Sequence, residues 1–66
     1  MKVLHEQVND IIRIEVENEI GGKLIYERIG SVTKTKSVGD IEGIDQMKEM
    51  IMLMVDKLCE IKRERK

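Results

Sequence analysis

Sixty-six residues suffice for one small domain and leave no room for a second core. Twelve Lys/Arg against thirteen Asp/Glu give a formal charge of −1, which excludes the strong positive field of a non-specific nucleic-acid binder. One Cys and one His exclude an intrachain disulfide and leave a four-ligand zinc site short of His and Cys, and with Tyr26 as the single aromatic residue, base-stacking platforms and aromatic hot spots are poorly supplied.

Residues 1–9 support three readings: a short helix, a frayed end or an edge strand. Val3, Leu4 and Val8 stand at helical spacing in a segment too short and polar to decide.

Residues 11–36 predict a β-hairpin. Ile12, Ile14 and Val16 alternate with Arg13, Glu15 and Glu17, the period of a half-buried strand. Gly21 and Gly22 supply two positions that accept positive φ, as a two-residue type I′ loop requires. That loop sets Glu15 opposite Arg28, Ile14 opposite Ile29 and Ile11 opposite Val32. These pairs are favourable, whereas sliding the loop to residues 19–22 opposes Arg13 to Arg28. Val16 opposite Glu27 is the one poor match. Gly30 marks a bulge or bend before Val32–Lys36.

Residues 41–64 predict a helix, N-capped by Asp40 or starting a few residues later because of Gly43. Ile44, Met47, Ile51, Met54, Leu58 and Ile61 follow a 3-4-3-4-3 spacing and form its seam. Its basic end, from Lys62 to Lys66, suits the helix dipole. The fold expected is α+β, a hairpin packed on one amphipathic helix. Its core is Ile12, Ile14, Val16 and Ile29 against that seam.

Within the helix, Met50-Ile51-Met52-Leu53-Met54-Val55 is uninterrupted by polar residues. At roughly 100° per residue, such a run passes a full circle, so a helix of this kind is buried all round. A hairpin covers one side only. Met50, Met52, Leu53, Val55 and Cys59 are therefore expected at an oligomer or partner interface, unless residues 1–9 fold back as a lid. A parallel coiled coil fits less well, because Lys57 would meet Lys62 of its partner.

The remaining polar residues argue against catalysis. His5 has no oriented acid and reads as a solvated side chain. Cys59 lies near a helix C-terminus, where the dipole opposes a thiolate, so it reads as a buried or interfacial small apolar residue. Glu15, Glu17 and Glu19 alternate as a solvated sheet face, and no acidic spacing matches a calcium loop. Gly21-Gly22 lacks the Lys-Ser/Thr of a phosphate loop.

A non-enzymatic, homo-oligomeric assembly or adaptor module is the function expected, without cofactor or metal. One alternative is a small nucleic-acid-binding regulator using Lys34, Lys36, Lys62, Arg63 and Arg65. Another is an inhibitor or antitoxin-like protein docking on one target. A lone thiol, no apolar stretch of about eighteen residues and no apolar leader at the start predict a cytoplasmic protein outside the membrane.

Overall fold

Alternation in residues 11–17 puts Ile12, Ile14 and Val16 on one face of a strand, and all three are buried. The computed structural model describes the chain as far as Glu64, with side chains as far as Arg63. Its elements are β1 (Lys2–Val8), β2 (Ile11–Glu17), β3 (Lys23–Ile29), β4 (Val32–Val38) and α1 (Gly43–Glu64). The strands form one antiparallel sheet in the order β1-β2-β3-β4, and α1 packs on β2 and β3. The class is α+β, as expected.

The sheet is twice as wide as the hairpin read from sequence. Residues 1–9 resolve to the edge strand, because β1 pairs with β2 over seven residues from Lys2↔Glu17 to Val8↔Ile11. Two-residue turns at both outer corners make this possible. Asn9 (φ 54°) and Gly30 (φ 61°) take the left-handed region at the first turn position, while Asp10 and Ser31 do not. That is the type II′ pattern, whose twist suits a hairpin. Gly30 therefore ends β3 rather than bending it, and β4 is a separate strand.

The central register also differs from the expected one. β2 and β3 pair as Glu17↔Lys23, Val16↔Leu24, Ile14↔Tyr26, Arg13↔Glu27 and Ile11↔Ile29, so the loop holds five residues, 18–22. The gain is visible on both faces: Val16 meets Leu24 instead of Glu27, and Arg13 meets Glu27. Asn18, which is buried, is the cause. Its Oδ1 accepts from the N–H of Ile20 (3.1 Å) and of Gly22 (2.6 Å). Its Nδ2 donates to the Asp40 carbonyl (2.9 Å) and to Gln46 Oε1 (3.0 Å). All four hydrogen-bonding sites of one amide are used, and they tie the loop to the entry of the helix. Gly22 is required there for closeness: a Cβ on it would overlap the Asp40 carbonyl.

Gln46 Oε1 also accepts from the Glu42 N–H (2.7 Å), satisfying a donor at the helix start. This clamp sets the helix rotation. With Gln46 turned to the loop, Met50, Met54 and Ile61 face the sheet and are buried, and Met47, Leu53 and Leu58 pack around them. The buried stripe is turned by roughly half a 100° residue step from the predicted seam. Two predicted core residues are displaced as a result, and a third, Ile29, by the change of register. Ile44 is 74% exposed and Ile51 45%, on the outer flank of the helix. Ile29, on the sheet face away from the helix, is 48% exposed. Met50, expected at an interface, is fully buried in the core.

Candidate protein-interaction surfaces

The helix rotation that buries Met50 leaves a line of apolar side chains outside. Ile44, Ile51, Met52 and Val55 are all exposed, Met52 to 66%, and Cys59 continues the line at the surface. Leu53 is half-buried against the core instead. Of the expected interface residues, Met52, Val55 and Cys59 thus lie together outside, joined by Ile44 and Ile51. The run from Met50 to Val55 is not dry on every side within one chain. Residues 1–9 do not act as its lid, because they are committed to β1.

The two flanks of α1 differ. Gln46 and Glu49 line a depression with Met1, so that flank lies toward β1. By helical geometry the apolar flank then lies toward β4. The β4 residues on the helix side of the sheet, Thr33, Thr35 and Ser37, are all exposed. Helix and β4 therefore frame an open strip with an apolar wall.

The sheet face away from the helix is a lattice of charges with an apolar margin. One cross-strand row reads Glu6, Arg13, Glu27, Lys34, alternating in sign. The row beside the turns reads Val8, Ile11, Ile29, Val32, each exposed. Ile25 is the buried exception on this face, in a shallow depression of about 730 Å³ lined also by Arg13, Glu27, Lys34 and Lys36. The stems of those long side chains shield it while their charged heads stay wet.

The expected chemistry candidates are dispersed. Glu15 pairs with Lys23 (3.1 Å) and more loosely with Arg13 (3.8 Å), not with Arg28. The Arg28 Nε instead donates to the Gly30 carbonyl. Glu19 lies in the loop, apart from the face that carries Glu15 and Glu17. His5 is half-buried rather than solvated, and among the described residues its Nε2 is enclosed without a hydrogen-bond partner. Cys59 is exposed, which removes the buried alternative and leaves the interfacial one. Among the described residues, no group of three His, Cys, Asp or Glu is placed to share a metal ion, and no helix is long and apolar enough to cross a membrane.

Lys34 and Lys36 share the open face of β4, as the sequence suggested, but Glu27 lies directly opposite Lys34. Lys62 and Arg63 are exposed in the last helical turn, and Arg65 lies outside the described residues. Asn18 and Gln46, which organise the molecule, were missed from sequence. A polar residue ending an alternating strand, four before a glycine, was the only signal. Comparison with protein-family models, with curated proteins and with solved structures finds no match.

Proposed function

We propose that this chain is a non-enzymatic, self-associating module that acts through protein–protein contact. The observation that carries the reading is the exposed line Ile44, Ile51, Met52 and Val55 on a helix already anchored by its opposite side. Single exposed apolar residues are ordinary, but four in one line form a patch of the kind that marks contact sites. Economy of size supports it too. A chain of this length buries only about 60% of its unfolded surface, so a partner adds core that the sequence cannot supply alone.

Binding of nucleic acid is less well supported. Lys34 and Lys36 stand in a face where acids alternate with bases, so phosphates would meet Glu27 as readily as lysine. Multi-angle light scattering tests the proposal. A species larger than 7.7 kDa is expected, and a monomer persisting at roughly 100 µM would end it.

A further inference from the structure

We propose that two copies pair through β1, antiparallel about a two-fold axis at Leu4, joining their sheets into one of eight strands. The inference rests on the reading that the chain self-associates, and it names one contact, apart from the helix flank.

The sheet has two edges, and they are not equivalent. β4 carries Lys34 and Lys36 on one face. Every antiparallel pairing of β4 with itself that overlaps these two residues and keeps like faces together sets lysine against lysine. Edge lysines of this kind discourage pairing. β1 has no proline, glycine or bulge, and its register with β2 is unbroken.

The backbone of β1 is also presented for pairing. Gly30 N–H donates to the Asp10 carbonyl (3.2 Å), and Asn18 N–H to the Gly22 carbonyl (2.9 Å). By alternation, the even residues of β2 therefore bond to β3 and the odd residues to β1. Their partners Lys2, Leu4, Glu6 and Val8 spend their backbone groups inward. Those of Val3, His5 and Gln7 point out from the sheet, with no strand beside them among the described residues.

A two-fold axis at Leu4 matches those outward groups, Val3 with His5 of the second copy and the reverse. On the open face it sets Leu4 against Leu4 and Lys2 against Glu6, twice. These contacts fall at the non-hydrogen-bonded sites, where facing side chains approach most closely. Head-to-tail pairing of β1 with β4 of another copy, in the register that continues the sheet's own rows, offers less. It keeps Glu6 opposite Lys34 and Val8 opposite Val32, but sets Leu4 against Lys36 and Lys2 against Val38. It is also open-ended, whereas the two-fold contact closes on itself. Neither apolar line on the helices is consumed by pairing at β1, so the two surfaces are separable by substitution.

Charge exchange tests the pairing by sedimentation equilibrium on the full chain, with circular dichroism as the check on folding. Lys2→Glu or Glu6→Lys alone should weaken dimerisation about tenfold, since each turns two attractive pairs repulsive. Lys2→Glu combined with Glu6→Lys should return it to within about threefold of the parent. Val3→Pro, which removes an outward N–H tolerated as absent on an edge strand, should give a folded monomer. A dimer indifferent to the single exchanges, or one not rescued by the double exchange, overturns the pairing while leaving self-association intact. Larger assemblies that respond to Lys34→Glu and not to Lys2→Glu identify the head-to-tail arrangement and also overturn it. A parent chain that is monomeric throughout removes both this inference and the reading beneath it.

Discussion

Replacing Asn18 by Ala should cost about 2–4 kcal/mol of stability, because the loss leaves one buried and three part-buried groups without this partner, the buried one at about 1–3 kcal/mol and the others at less. The buried group is the Gly22 N–H, held at 2.6 Å in the intact protein. The Asp40 carbonyl, the Ile20 N–H and Gln46 Oε1 are part-buried, where water can replace the lost bond at lower cost. For a domain this small the expected fall in Tm is roughly 10–25 °C. Asn18→Asp dissects the effect. It retains the acceptor for the loop but removes both donors and points a carboxylate at two oxygens, so it should destabilise by at least about 2 kcal/mol. Gln46→Ala, which breaks only the helix half of the clamp, should cost about 1 kcal/mol. Urea titrations followed by circular dichroism measure all three. A loss below about 0.5 kcal/mol for Asn18→Ala would refute the claim that this amide joins loop to helix and sets the helix rotation.

Three further outcomes follow from the same structure. Gly22→Ala should destabilise more than Gly21→Ala: the first drives a Cβ into the Asp40 carbonyl, whereas the second, at φ +86° with open space around it, costs about 1–2 kcal/mol of backbone strain; equal melting temperatures would contradict this. Met50→Ala should cost about 2–5 kcal/mol and Ile51→Ala less than about 1, because one side chain is fully buried and the other 45% exposed, and chemical denaturation would reveal a reversed order. Val55→Lys should leave the fold and the β1-paired dimer unchanged while reducing association beyond the dimer by light scattering; a dimer that dissociates would place its contact on the helix flank instead.

Residue types and spacing alone determined the class of the fold, the helix at the C-terminal end and the inward face of β2. Those follow from periodicity, since Ile12, Ile14 and Val16 have no other face to bury and Met47 to Ile61 repeats at helical spacing. Register, helix rotation and the fate of individual apolar residues were decided by tertiary contacts. Gly21-Gly22 looked like a complete two-residue turn, and local preference gave no reason to extend it to Asn18. The longer loop won because the Asn18 amide bonds to Asp40 and Gln46, 22 and 28 residues away. Ile51 and Met50 are adjacent and equally apolar, so composition cannot rank them; the Gln46 anchor turned one inward and the other out. Likewise β1 is too short and polar to announce itself, and it became a strand because β2 offered it a full row of backbone partners.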